Sequence, residues 1–287
     1  MISARAPSKL PGLTQARVPL THLTEVVNEF GERYMMAIPA ERALTVYVDK
    51  REVVTLMTLG GQPEWLVLGF LLNQRLVQSA QDVESITVDW EVGAAAVKTR
   101  AGVLNIAQKT AKRTVTTGCG QGSMFGDLMD GVDQIALPPA SITQSQLYAV
   151  VNAIRLQESI YKTAGSVHGC ALFQGEEMLL FVEDVGRHNA IDAIAGWMSM
   201  QSGMRSADKF FYTTGRLTSE MVIKAAQMGI PVVISRSGIT QMGQMVANRL
   251  GLCTIGRATN KRFLCFSGAH RLVLQPELAG VRLRVAA

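Results

Sequence analysis

The last third of the chain alternates short apolar strands with helices, and this rhythm restricts the fold more than any other feature. Phe210-Phe211-Tyr212-Thr213 reads as a strand. Thr218 can cap a helix running to Met228, with Glu220 in its first turn, where the helix dipole favours a negative charge. Gly229 and Pro231 end that helix, and Val232-Val233-Ile234 is the next strand. Thr240 caps a second helix to Leu250, closed by Gly251, and Cys253-Thr254-Ile255 is a third strand. Strands joined by single helices at this spacing run parallel, through right-handed crossovers. The chain is therefore read as an α/β protein.

The first half reads differently. Leu44–Val48 and Val53–Met57 are two strands about a turn at Asp49-Lys50-Arg51. Gly60-Gly61 interrupts the chain, Pro63 and Glu64 suit a helix start, and Trp65–Val77 carries apolar residues at helical spacing. Further strands fall near Ile86–Trp90 and Ala94–Thr99. Residues 1–18, with Pro7, Pro11 and Gly12, read as a mobile leader, 19–112 as a small α+β domain, and 113–287 as the larger domain.

Hydrophobic residues make up 48% and charged residues 18% of the 287, which suits a globular protein with room for two modest domains. The longest apolar run, Trp65–Leu72, is far too short to span a bilayer, and Met1–Gly12 lacks the apolar core of a secretory signal. The expected location is the cytoplasm, without membrane association. Cys119, Cys170, Cys253 and Cys265 follow no framework spacing and are read as reduced thiols. The formal charge of +5 is uneven: from Arg205 onward twelve Lys/Arg face three Asp/Glu. That excess points to an anionic ligand or to a solvated basic face.

The loops after the three parallel strands favour the ligand. They are Thr214-Gly215-Arg216, Ser235-Arg236-Ser237-Gly238, and Gly256 followed by Arg257, Ala258, Thr259, Asn260, Lys261 and Arg262. Open parallel sheets bind ligands at the carboxyl ends of their strands. Glycine admits a close backbone approach, while helix N–H groups and guanidinium forks suit phosphate. The Walker and Gly-x-Gly-x-x-Gly patterns are missing from these loops, against a P-loop enzyme or a nicotinamide dehydrogenase.

Cys119, between Gly118 and Gly120, is the nucleophile candidate, because flanking glycines leave a thiolate unshielded and can present N–H donors to it. His168-Gly169-Cys170 lacks the third and fourth ligands of a zinc site, so His168 is read as a base, an orienting group or a core histidine. Glu183-Asp184-Val185-Gly186-Arg187-His188 packs four ionisable groups between a strand, Met178–Val182, and a helix beginning near His188. Such clustering marks either a site or a salt-bridged helix start.

Taken together, these residues resemble the FdhD/NarQ family of formate dehydrogenase accessory sulfurtransferases. The resemblance runs from about Leu44 to Leu272. It rests on Leu68-Gly69-Phe70-Leu71-Leu72, Thr117-Gly118-Cys119-Gly120, the string Glu183 to Asp192, Gly215-Arg216 through Glu220, Lys224-Ala225 and Gly229. It implies a cytidine-deaminase-like three-layer C-terminal domain after a smaller α+β domain. It also implies a sulfur carrier that takes sulfur from a cysteine desulfurase as a persulfide and passes it to bis-molybdopterin guanine dinucleotide before this cofactor enters formate dehydrogenase. Cys119 stands at the family's persulfide position and Arg257–Arg262 at its cofactor loop, with Arg216 and Arg236 as further anion-binding candidates. His168, Asp184, Arg187 and His188 are supporting candidates. A homodimer and no protein-ligated metal are implied as well.

The chain departs from the family at three places. Gly122 stands where many members carry the second cysteine of a Cys-x-x-Cys, Arg257 stands where an aromatic residue is common, and Asn73-Gln74-Arg75 replaces the usual Ser-Glu-Gly. Rival readings are a cofactor-binding chaperone without chemistry, a degenerate nucleotide deaminase, and a nucleic-acid binder. The 6% aromatic content offers few stacking platforms and weighs against the last.

Overall fold

The computed structural model describes residues 10–103, 114–115, 122–123, 131–201, 203–204 and 208–279. In chain order the strands and helices are β1 (Gly12–Leu13), β2 (Thr21–Val27), β3 (Arg33–Pro39), β4 (Arg42–Val48), β5 (Arg51–Thr58), α1 (Pro63–Asn73), β6 (Val83–Asp89), β7 (Ala94–Thr99), β8 (Thr114–Val115), β9 (Gly122–Ser123) and β10 (Ile142–Thr143). They continue with α2 (Gln144–Leu156), α3 (Ile160–Ala164), β11 (His168–Gln174), β12 (Glu177–Asp184), α4 (Arg187–Ser199), β13 (Lys209–Thr213), α5 (Ser219–Gln227), β14 (Val232–Ser235), α6 (Gln241–Leu250), β15 (Cys253–Thr259), β16 (Arg262–Ser267) and β17 (Leu272–Val273). Two compact units interleave along the chain. The first holds Met1–Asp130, Ser159–Gly169 and Val182–Met204, and the second holds the rest. No helix among the described residues is long and apolar enough to cross a membrane.

The first unit is built on a five-stranded sheet of order β1-β6-β7-β4-β5. Asp49 and Lys50 link β4 to β5 with φ of 48° and 70°, the double left-handed turn that matches strand twist. Leu44, Val46 and Val48 alternate into the core. Helices α1 and α4 touch backbone to backbone through Gly69 and Gly196: a Cβ on Gly69 would lie 1.7 Å from the Asp192 carbonyl oxygen, and one on Gly196 would lie 2.0 Å from that of Trp65. A separate hairpin, β2–β3, leaves Leu23, Phe30 and Met35 exposed.

The helix expected over Trp65–Val77 stops at Asn73. Arg75 turns left-handed at φ 55°, its N–H donates to the Leu72 carbonyl, and that of Leu76 donates to Leu71. This is a Schellman closure with arginine where glycine is usual. Leu76 and Val77 are buried by the turn rather than by helix.

The second unit carries a six-stranded sheet of order β12-β11-β13-β14-β15-β16. β13, β14 and β15 are mutually parallel, as the strand–helix rhythm requires, while β11 and β16 flank them antiparallel. Phe173, Phe210, Tyr212, Val232, Ile234 and Ile255 form one core face with Leu147 and Val150 of α2. The alternate residues Phe211 and Val233 are buried too, so the parallel strands are covered on both faces.

Candidate functional site

The carboxyl ends of β13 and β14 finish in Thr213 and Ser235, both fully buried hydroxyl residues. These hydroxyls tie the loops into one shelf. Thr213 Oγ1 accepts the Gly215 N–H (3.1 Å), and Ser235 Oγ donates to the Gly215 carbonyl (2.7 Å) while accepting the Ser237 N–H (2.9 Å). The Arg236 N–H donates to the Thr213 carbonyl (3.0 Å), and the Arg257 N–H to that of Ser237 (2.6 Å). The three arginine-bearing segments are thus hydrogen-bonded in series. Arg216, Arg236 and Arg257 are exposed on it.

Two helices begin at the shelf, α5 behind Thr218 and α6 behind Thr240. Thr240 Oγ1 accepts the Gly243 N–H (3.2 Å), a normal cap. Thr218 makes no such bond, and its Oγ1 is buried without a hydrogen-bond partner among the described residues. Backbone donors, an unfilled hydroxyl and three guanidinium groups together suit an anionic ligand.

The third segment differs from its expected form. It is the tip of a hairpin rather than a loop beyond a finished strand, because β15 runs on to Thr259 and β16 starts at Arg262. Asn260 makes the turn at φ 52°. Arg257 is also left-handed, at φ 51°, and lies where the β15–β16 register shifts between Gly256 and Thr259. Ala258 points into the core at 1% exposure and so presents no side chain to a ligand, whereas Thr259, Asn260, Lys261 and Arg262 are exposed. The Tyr148 hydroxyl of α2 holds this tip by donating to the Lys261 carbonyl (3.1 Å). Gly256 allows the close approach: a Cβ there would meet Phe266 at 2.8 Å and the Ser237 carbonyl oxygen at 3.0 Å.

The acidic–Arg–His string lies in the first unit, as does His168, which opens β11 half-buried. Glu183 spends its carboxylate on the start of α3, accepting the N–H groups of Ile160 (2.6 Å) and Tyr161 (3.1 Å). Asp184 is buried and accepts from four groups: the Thr58 hydroxyl (2.5 Å), the Leu59 N–H (3.1 Å), the Gly186 N–H (3.0 Å) and Asn189 Nδ2 (2.8 Å). Burial pushes its carboxyl above the usual range, opposed by those donors. Asn189 also donates to the Met57 carbonyl (2.7 Å), so Asp184 and Asn189 together fasten the end of β5 to the start of α4. Arg187 and His188 are buried in the first turn of that helix. Asp184 is thus the hydrogen-bond centre of the string.

Cys119 and its neighbours Gly118, Gly120 and Gln121 lie outside the described residues. Cys170 is fully buried against the Thr213 hydroxyl (3.3 Å). No group of three or more His, Cys, Asp or Glu among the described residues is placed to hold a metal. From the sequence Thr213 reads as the end of a strand and Ser235 as the start of a loop, and neither is assigned a role there, although a hydroxyl residue closing each of two successive parallel strands is visible. Thr58 carries no signal of its own, and Asn189 stands only as a member of the string Glu183 to Asp192; both become partners of Asp184 only through folding.

The model of the FdhD/NarQ family matches residues 39–273. A sulfur carrier protein FdhD of Geobacillus kaustophilus is 28% identical over 238 residues, covering 83% of this chain and 90% of that protein. A protein of the same name from Halalkalibacterium halodurans is 29% identical over 239 residues, 82% of this chain and 88% of its own. The fold is shared with a crystal structure from Desulfotalea psychrophila, of a protein assigned as a formate dehydrogenase accessory protein. Its TM-score is 0.72 at 24% identity, over 89% of this chain and all of that one.

Proposed function

Because the chain belongs to the FdhD/NarQ family, we propose that it is a sulfur carrier for the maturation of formate dehydrogenase, with Cys119 as the carrying residue. The Cys119 thiolate attacks the terminal sulfur of a desulfurase persulfide. One S–S bond breaks, another forms, and the donor leaves as a thiolate. The resulting Cys119 persulfide passes its outer sulfur to the molybdenum end of bis-molybdopterin guanine dinucleotide, the substrate of the second step: the bond from Cys119 Sγ to the outer sulfur breaks, Cys119 leaves as a thiolate, and the acceptor supplies the electron pair of the new bond.

The observation that carries this reading is the hydrogen-bonded shelf with Arg216, Arg236 and Arg257 exposed on it. The diphosphates and guanine ends of such a substrate need forked cationic donors and helix N–H groups, and the shelf offers both. Lys261 and Arg262 add charge at the hairpin tip. Ala258 contributes only packing. The cytidine-deaminase-like layering of the C-terminal domain is part of the same proposal, supported by the parallel β13–β14–β15 core with its antiparallel flanks. Asp184 and its partners hold the acidic–Arg–His string in shape rather than moving protons.

The test is intact-protein mass spectrometry after incubation with a cysteine desulfurase and cysteine. A reducible gain of one sulfur is expected, absent in Cys119→Ala. The same gain in the variant would remove Cys119 from the role. No gain in either protein, with guanine-nucleotide binding retained, would favour a chaperone that binds the cofactor without chemistry.

A further inference from the structure

Two of the other cysteines meet across the outermost pair of strands in the second unit. Cys253 opens β15 and is fully buried, while Cys265 lies in β16, the edge strand of the six-stranded sheet, and is half-buried. The register pairs Thr254 with Ser267 and Ile255 with Cys265, so an extra residue, Phe266, makes a bulge between them. Residues two apart on a strand share a face, which puts Cys253 diagonal to Cys265 on the core side. Both thiols pack on the same cluster, near enough for the ionisation of one to depend on the other. That contact holds the Cys265 thiol down to about 7, against burial, and pushes the Cys253 thiol well up. Protonated, Cys265 donates instead to the Ser267 carbonyl (3.2 Å). The pair therefore joins a reachable, readily ionised sulfur to a protonated one behind it. Cys170, by contrast, faces the Thr213 hydroxyl.

We propose that Cys253 and Cys265 form a second sulfur site, which accepts sulfane sulfur from a persulfide at Cys265 and discharges it as hydrogen sulfide through Cys253. It rests on the sulfur-carrier reading only for the presence of a persulfide donor. In the first step the Cys265 thiolate attacks the outer sulfur of R–S–SH, giving Cys265–S–SH and a thiolate RS⁻. In the second, the Cys253 sulfur attacks the Cys265 Sγ, the bond from Sγ to the outer sulfur breaks, and the Cys253 proton leaves with that sulfur as H₂S. The sulfane sulfur is reduced by two electrons, and the two thiols are oxidised to a cross-strand disulfide. The bulge interrupts the regular β15–β16 ladder between these two positions. The chain lacks a second cysteine in its sulfur loop, where Gly122 stands, and this dithiol supplies a discharge step from another place in the fold.

The experiment uses the full chain carrying Cys119→Ala, reduced, oxygen-free, with glutathione persulfide as the donor. Peptide mapping should show a donor-dependent disulfide joining the Cys253 and Cys265 peptides. Cys253→Ala in the same background should accumulate a persulfide on Cys265, because the discharging thiol is gone, and Cys265→Ala should show neither product. Cys265 left unmodified in both the Cys119→Ala protein and the Cys253→Ala derivative would overturn the proposal. So would the same disulfide forming to the same extent without donor. Mapping the wild-type chain in parallel reads Cys119 separately. A loaded Cys119 beside an unmodified Cys265 sinks only this inference, and the reverse sinks only the carrier role of Cys119.

Discussion

Replacing Gly69 by alanine tests the α1–α4 contact directly. The new Cβ would sit 1.7 Å from the Asp192 carbonyl oxygen and 2.7 Å from the Gly196 nitrogen, and both are backbone atoms within a helix, so neither can swing away. Carbon contacts become favourable only near 3.5 Å, so the helices must separate by roughly 1.5–2 Å. Overpacking of a core costs about 1–3 kcal/mol, and the upper end applies when backbone must give. Separation also strains the buried bond from Asn73 Nδ2 to Asp192 Oδ1 (2.6 Å), and leaving such a buried group unsatisfied costs about 1–3 kcal/mol. Alanine returns about 1 kcal/mol of helix propensity over glycine. The net loss is on the order of 2–4 kcal/mol, which for a chain of this size lowers Tm by roughly 5–15 °C. Thermal and urea unfolding followed by circular dichroism would measure it. Gly12→Ala is the control, since a Cβ there meets nothing within 4 Å. A Gly69→Ala protein melting within about a degree of wild type, or above it, would refute the close-crossing argument.

Other outcomes follow from the same structure. Arg75→Gly should stabilise the first unit by about 0.5–1 kcal/mol in urea titration, because the residue at φ 55° no longer sets a Cβ in the left-handed region. Asp184→Asn leaves at least one of its four donors facing an NH₂ group and should cost about 1–3 kcal/mol. The folded-state pKa of Asp184 is raised above its ordinary 3.8, so its contribution is present below that value and is lost as pH rises through the raised one. The stability gap between wild type and Asp184→Asn should therefore narrow as pH climbs from 3.8. Arg236→Ala, at an exposed position, should leave Tm unchanged, while weakening binding of a guanine nucleoside diphosphate roughly tenfold with a shallower salt dependence. Iodoacetamide should label Cys265 ahead of buried Cys170 and Cys253, with half-maximal rate near pH 7.

Much of the second unit was legible because its signals are local. The Thr240 cap and the left-handed Gly251 bracket α6 as the residues themselves indicate. The order strand–helix–strand fixes parallel pairing for β13, β14 and β15 through crossover handedness alone. The loops then had to gather at one edge, and their arginines with them. The extension of β15 to Thr259 was hidden because Arg257, Thr259 and Asn260 read as loop chemistry, while the pairing of β16 depends on residues beyond the turn. The end of α1 was hidden for a related reason: Leu76 and Val77 continue the helical spacing, but they are buried by a turn that only the packing of the unit selects.

The sequence by itself determined what lies within one turn or one crossover of a given residue: helix starts, strand spacing, the basic third and the isolated Gly-Cys-Gly. Those properties follow from local backbone sterics and from periodic burial. Only the tertiary structure decided which distant groups meet. Thr58 reaches Asp184 across 126 residues and Asn73 reaches Asp192 across 119. Gly69 and Gly196 yield their side-chain space to each other's helix backbone, and Cys253 finds Cys265 across a bulge. Each of these contacts requires the chain to close a loop before any short-range preference can favour it, so no window of the sequence contains the cause.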